Sequence, residues 1–185
     1  MTRDEELDFT KPPAPSAPPP AEKVAEARKE ASSGGPQLAK SGFYVAMARH
    51  RAGGPVPPNN GKRHAVLVIE DDPALLKLVA EVLGSAGFQV RTARNRAEVN
   101  GEINRAPLPD LILLDVTLPD ADGFQILERM RAHPKLAKMP VVLMTAKSEV
   151  ADVARGLALA ADGYVSKPFK ITALLSAVGT VLGLD

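Results

Sequence analysis

From Ala65 onward the chain alternates short blocks of consecutive apolar residues with longer stretches whose apolar residues recur every three or four positions. The blocks predict strands over 65–70, 89–93, 111–115, 141–145 and 163–166. Runs such as LVI, LILL and VVLM are apolar without a break, which is how a strand covered on both faces of a parallel sheet reads. The stretches between them predict helices. The first carries Leu75, Val79, Val82, Leu83 and Ala86 on one face, with Asp72 as N-cap, Pro73 as first helical residue and Gly84 or Gly87 at the exit. Later helices start near Arg96, Gly123, Val150 and Ile171. Strict strand–helix alternation with right-handed crossovers predicts an α/β fold, a doubly wound five-stranded parallel sheet of (βα)5 form. Ligands of such a sheet sit outside the carboxyl ends of its strands.

The first 60 residues follow another pattern. Ten of the 17 prolines fall there, in KPPAPSAPPP, at Pro36 and in PVPPNN, and large apolar residues are few. Too little apolar surface is present to offset chain entropy, so residues 1–61 are expected to be a disordered Pro-rich extension and 62–185 the folded domain. Residues 21–31 are good helix formers without an apolar stripe, which reads as a solvated, fraying helix. Residues 37–51 cluster Phe43, Tyr44, Val45 and Met47 ahead of Arg49, His50 and Arg51. That cluster is either a docking segment that orders on a partner or an incidental hydrophobic patch of a linker.

Charge and cysteine count narrow the classes. The net charge is +1, with no basic stripe of the kind nucleic-acid binding needs. Cysteine is absent, which excludes disulfides and thiolate metal sites and fits a reducing cytoplasm. The start MTRDEELDF is too acidic for a secretory signal, and no apolar run approaches the ~20 residues of a membrane span. His50, His64 and His133 have no metal-ligand spacing and read as surface residues.

The chemistry lies at the ends of the apolar blocks. Glu70, Asp71 and Asp72 follow the first, Asp115 ends the third, Thr145 the fourth, and Lys167 follows the fifth. The fold brings all of them to one sheet edge. Crowded carboxylates there call for a cation. Asp71 reads as a direct metal ligand, Glu70 as one acting through water and Asp72 as the helix cap; a purely structural role for all three is the competing reading. Asp115 is placed to act as a nucleophile that forms an acyl phosphate. Magnesium suits such a site, since it bridges carboxylates to phosphoryl oxygens, and no loop has calcium-binding spacing. Thr145 offers a hydroxyl and Lys167 a compact positive charge to the same oxygens.

With these motifs (VIEDDP, LILLDVTLPDADG, LMTAKS and YVSKPF) residues 65–184 resemble the response-regulator receiver domains of bacterial two-component signalling. The resemblance implies a flavodoxin-like sheet of strand order 2-1-3-4-5, counted from Ala65. It implies Asp115 as phosphoacceptor, Glu70 and Asp71 as the acidic pair, Thr145 and Lys167 as phosphoryl-binding residues, and the main-chain carbonyl of Thr117 completing a Mg2+ shell. It implies a switch in which Thr145 moves toward the phosphoryl group and Tyr164 rotates inward, changing the face made by the fourth helix, fifth strand and fifth helix of the repeat (α4-β5-α5 in the family). Read on its own, Tyr164 is a strand tyrosine with its ring in the core and its hydroxyl in water. The Lys167–Pro168 bond resembles the family's cis peptide. Lys147 either pairs with a phosphoryl oxygen or points to solvent.

The expected function is therefore a stand-alone receiver. It takes its phosphoryl group from a sensor histidine kinase or phosphotransfer protein and acts on a downstream protein target. No nucleic-acid or membrane partner is expected, and a phosphorylation-dependent homodimer is one possible output. Nothing follows the fifth helix in this sequence, so no appended output domain is expected. One alternative is a scaffold whose N-terminal tail binds the partner while the receiver gates it. A remote one is a Mg2+-dependent phosphohydrolase, but such an enzyme has a second aspartate where Thr117 stands and a substrate-capping insertion. The chain is expected not to be an enzyme on external substrates.

Overall fold

All five apolar blocks are strands. A computed structural model describes residues 8–11, 18–46, 55–59, 61–146 and 150–184. In chain order the elements are α1 (Ala21–Ser41), β1 (Phe43–Val45), β2 (Ala65–Ile69), α2 (Pro73–Ser85), β3 (Gln89–Ala93), α3 (Arg96–Ile103) and β4 (Leu111–Asp115). They continue with α4 (Gly123–Ala132), β5 (Val141–Thr145), α5 (Val150–Ala158), β6 (Gly163–Ser166) and α6 (Ile171–Leu182). Strands β2 to β6 are parallel in the order β3-β2-β4-β5-β6, the predicted 2-1-3-4-5 arrangement.

The unbroken apolar runs are explained by burial on both faces. Leu67, Ile69, Ile112, Leu114, Leu143 and Tyr164 enter one core layer with residues of α3, α4 and α5. Their neighbours Val66, Val68, Leu113, Val142, Met144 and Val165 enter the other, covered by α2 and α6. Three helix starts follow side-chain capping: Asp72 accepts from Leu75 N at 2.7 Å, Asn95 from Glu98 N at 3.0 Å and Asp122 from Phe124 N at 2.8 Å. Two acids tie the amino ends of the strands together. Asp110 Oδ2 accepts from Ala65 N at 2.7 Å, and Asp162 Oδ2 accepts from Val141 N at 2.8 Å and from the Arg131 guanidinium at 2.9 Å. Arg131 also donates to the carbonyls of Met139 and Ala160.

The extension departs from expectation. Instead of a fraying helix over 21–31, α1 runs unbroken to Ser41 through SSGGP, with Ala27, Ala31, Gly34, Gly35 and Leu38 buried. Gly42 closes it at φ 81°, and its N–H bonds to Leu38 O. Strand β1 then adds antiparallel to the outer edge of β6, making a sixth strand. The physical reason is that the buried stripe consists of Ala and Gly. Such a stripe carries little hydrophobic signal, yet it lets helix backbones approach closely. Packing against α5 overrides the ~1 kcal/mol per glycine and ~3 kcal/mol for Pro36 that isolated-helix propensity would charge. Phe43, Tyr44 and Val45 thus pack on this chain's own sheet, while Met47, Arg49, His50 and Arg51 lie outside the described residues. No helix among the described residues is long and apolar enough to cross a membrane.

Helix α5 sits close to the sheet because Gly156 has no side chain. A Cβ there would collide with the Tyr164 hydroxyl and lie 2.8 Å from Leu143 Cδ1. Replacing Gly156 by Val should lower unfolding stability by about 1–3 kcal/mol through overpacking, read as a reduced denaturant midpoint at constant slope.

Candidate functional site

Three strands of the sheet, β2, β4 and β6, deliver the charged groups. Strand β2 ends at Ile69, one residue shorter than expected, and Glu70 directly follows it with 1 % of its surface exposed. Asp115 ends β4, the neighbouring strand, and is also buried. Lys167 follows β6 and reaches across β5 to both. Its Nζ lies 2.5 Å from Glu70 Oε2 and 2.7 Å from Asp115 Oδ2. Asp71 is exposed beside them, and one carboxylate oxygen from each of Glu70, Asp71 and Asp115 lies within 4.8 Å of the others.

Electrostatics explains why the ammonium sits there. Burial, helped by the charge of Asp115, pushes the Glu70 carboxyl up against the pull of Lys167. For Lys167, burial is the largest influence and acts to lower its value. The hydrogen bonds and charges of Asp115 and Glu70 together outweigh burial and raise it. Lys167 therefore stays cationic as the counter-charge of two buried carboxylates. The remaining acceptors are also engaged: Asp115 Oδ1 accepts from Thr117 N at 3.0 Å, and Glu70 Oε1 from Asp72 N at 3.2 Å. Three clustered oxygen donors are the hard ligand set that a divalent cation such as Mg2+ takes.

Thr145 ends β5 and is buried. Its strand pairs with β4 so that Met144 faces Asp115, which sets Thr145 one position beyond the acid along the edge. The Thr145 carbonyl accepts from Lys167 N at 2.7 Å, tying the backbone of the lysine to that of the threonine. Thr117 is exposed on the loop after β4 and bridges to Asp122. Asp72 caps α2 as expected. The Lys167–Pro168 bond is cis, and so is Ala106–Pro107. Lys147 lies outside the described residues. His64 is half-buried rather than on the surface, with Nε2 2.7 Å from Val56 O. Tyr164 corrects a second expectation: its hydroxyl is not in water but donates to Val153 O at 2.9 Å, with 1 % of the residue exposed.

Two positioning residues escaped the sequence reading. Gly123 opens α4 where a Cβ would strike Asp115 O and come within 2.8 Å of Val116 Cα, so only glycine lets this helix start against the acid. Asp122 caps the same helix and pairs at 3.1 Å with Arg155 of α5, whose guanidinium lies 4.3 Å over the Phe124 ring. The signal for both was the Asp-Gly pair ahead of an apolar stretch, which marks a cap but not what the cap approaches.

An acid pair bridged by lysine at the edge of this sheet agrees with the comparisons. The family model "Response regulator receiver domain" matches residues 66–179. This chain belongs to the response regulator receiver family. Curated relatives of the receiver include the transcriptional regulatory protein GltR of Pseudomonas aeruginosa, 38 % identical over 66 % of this chain and 50 % of GltR. The phosphate regulon transcriptional regulatory protein PhoB of Escherichia coli is 36 % identical over 63 % of this chain and 51 % of PhoB. The chain thus spans about half the length of the curated relatives it matches. Among solved structures, a response regulator of Chloroflexus aurantiacus superposes with a TM-score of 0.62 at 32 % identity, covering 66 % of this chain and 99 % of that one. The chemotaxis protein CheY4 of Vibrio cholerae gives 0.61 at 28 % identity, covering 65 % and 99 %.

Removing the ammonium from the receiver site leaves two buried carboxylates facing each other. Lys167→Met should destabilise the fold by about 3 kcal/mol. Saturating Mg2+ should restore part of that loss, because a ligand that binds only the native state stabilises it. Thermal unfolding of wild type and variant, each with and without Mg2+, checks this; equal midpoints in all four samples would show that the bridge carries no such charge burden.

Proposed function

We propose that this receiver accepts a phosphoryl group on Asp115 from the phosphohistidine of a sensor histidine kinase or phosphotransfer protein, and passes the signal on through protein contacts. The carrying observation is the Lys167 ammonium held at 2.7 Å from Asp115 and 2.5 Å from Glu70, beside the third carboxylate of Asp71. An Oδ of Asp115 attacks phosphorus, the P–N bond of the donor breaks, and the imidazole leaves with the electron pair and takes up a proton. Such a transfer asks the protein mainly for positioning and charge neutralisation. Lys167 turns from the carboxylates to the arriving phosphoryl oxygens, and Thr145 donates its hydroxyl to another of them. The carboxylates of Asp71 and Asp115 and the Thr117 main-chain carbonyl would hold Mg2+, with Glu70 acting through water; the clustering of the three carboxylates supports this. When bound, the ion neutralises charge on the phosphoryl oxygens.

The output in this reading is a changed surface at α5, β6 and α6, the family's α4-β5-α5 face. Thr145 is the residue drawn to the phosphoryl group, and Tyr164 is the core residue that adjusts to its displacement. The protein does not act on external substrates: its chemistry is self-phosphorylation from a donor and return to the free acid by hydrolysis. It works in the cytoplasm as a protein-binding switch and contacts no nucleic acid through the described residues. The names of its curated relatives as transcriptional regulators belong to chains of which this one matches about half.

Intact-protein mass after incubation with acetyl phosphate tests the central claim. One added phosphoryl group is expected, dependent on Mg2+ and absent from Asp115→Asn. An identical gain in Asp115→Asn would move the acceptor elsewhere.

A further inference from the structure

We propose that α1 and β1 form a self-docked strap on the α5–β6–α6 face, one that holds the chain in its unphosphorylated arrangement and lets go when Asp115 carries a phosphoryl group. This rests on the phosphoacceptor reading of Asp115.

The strap occupies a complete edge. Phe43, Tyr44 and Val45 pair with Val165, Tyr164 and Gly163, and the ladder is extended by Ala46 N to Asp162 O at 2.8 Å and by Ser166 N to Gly42 O at 3.0 Å. The close approach needs Gly163, where a Cβ would lie 3.0 Å from Tyr44 O. A second chain seeking this edge of the sheet finds its hydrogen-bonding groups taken. Helix α1 covers α5 at the same time: Gly35 abuts Val150, and Gly34 lies under the Tyr44 ring, where a Cβ would be 2.9 Å from Cζ. The Tyr44 hydroxyl donates back to Glu30 Oε1 at 2.7 Å, closing the strap on itself.

The same strand touches the chemistry. Tyr44 meets Tyr164, its paired residue, with ring centroids 6.5 Å apart. Tyr164 is wedged in turn against Gly156 and hydrogen-bonded to Val153 O of α5. Three residues along β6, about 10 Å at strand rise, stands Lys167, whose ammonium bridges Glu70 and Asp115 and whose N–H bonds to Thr145 O. The strap therefore pairs with the strand whose end holds the ammonium and whose middle holds the buried tyrosine. A phosphoryl group that recruits Lys167 and Thr145 shifts the register partners of β1.

The hold of α1 on α5 rests mostly on small side chains. The buried stripe of α1 is Ala27, Ala31, Gly34, Gly35 and Leu38, so a single large apolar side chain anchors a helix that carries two glycines and a proline in its interior. β1 contributes three residues. Small biases suffice to move such an equilibrium, and the coupling is reciprocal: a modification that loosens the strap is itself favoured when the strap is loosened.

Hydrogen exchange read by mass spectrometry on the full chain, before and after acetyl phosphate with Mg2+, tests this together with the added mass. Peptides covering residues 30–46 and 163–166 should be protected in the unmodified chain and exchange about 5- to 150-fold faster once phosphorylated, the span of typical couplings. Asp115→Asn should show no change. In a second arm Gly34→Leu, which favours helix but crowds the Tyr44 ring, should raise the equilibrium ratio of phosphorylated to free chain, at a fixed ratio of acetyl phosphate to acetate, by about 5-fold over wild type. A mass gain with unchanged exchange overturns the strap proposal and leaves the phosphoacceptor standing. Unprotected β1 amides in the unmodified chain, or equal equilibrium ratios for Gly34→Leu and wild type, overturn it as well. No mass gain overturns both readings.

Discussion

A single ammonium makes this site possible. Glu70 and Asp115 are buried carboxylates on adjacent strands, and without Lys167 between them their mutual repulsion and lost hydration would oppose the strand register that brings them together. The rest of the edge is arranged to deliver that ammonium. The Thr145 carbonyl fixes the backbone of Lys167, Gly123 allows α4 to begin against Asp115, and the Thr117 N–H occupies the other oxygen of the acid. The site is both a stabilising cluster and a loaded one, because anything that competes for Lys167 disturbs three strands at once.

Much of this was legible in the sequence because the governing signals are local and strong. Unbroken runs such as LILLD can be satisfied only by a strand covered on both faces, and right-handed crossovers then leave little freedom in where Asp115 and Lys167 fall. The Asp72-Pro73 start of α2 was equally plain, since a cap and a preset φ act within one turn. What could not be read depends on approach distances. Gly123 and Gly156 matter for what a Cβ would strike, and that is a property of the partner element. The tyrosine hydroxyl expected in water is sealed by α5, whose depth over the sheet Gly156 sets.

The N-terminal segment shows the opposite failure. Its composition of Pro, Gly, Ala and Ser carries every sign of a chain too poor in apolar surface to fold on its own. Residues 21–45 acquire structure by borrowing it: the α5 surface supplies large side chains such as Val150, and β6 supplies an unsatisfied edge. A stripe of small residues is nearly silent on a hydropathy scale, yet it is the shape a close helix–helix contact requires. Tertiary context decided where local propensity pointed the other way.

The anchoring of the strands by Asp110, Asp162 and Arg131 has a mechanical consequence. Those ties clamp the amino ends of β2, β4, β5 and β6, while the charged machinery sits at the carboxyl ends. Strands clamped at one end cannot relieve a push at the other by sliding along their axes. The carboxyl edge is therefore the end of the sheet at which a rearrangement around Asp115 has to be taken up.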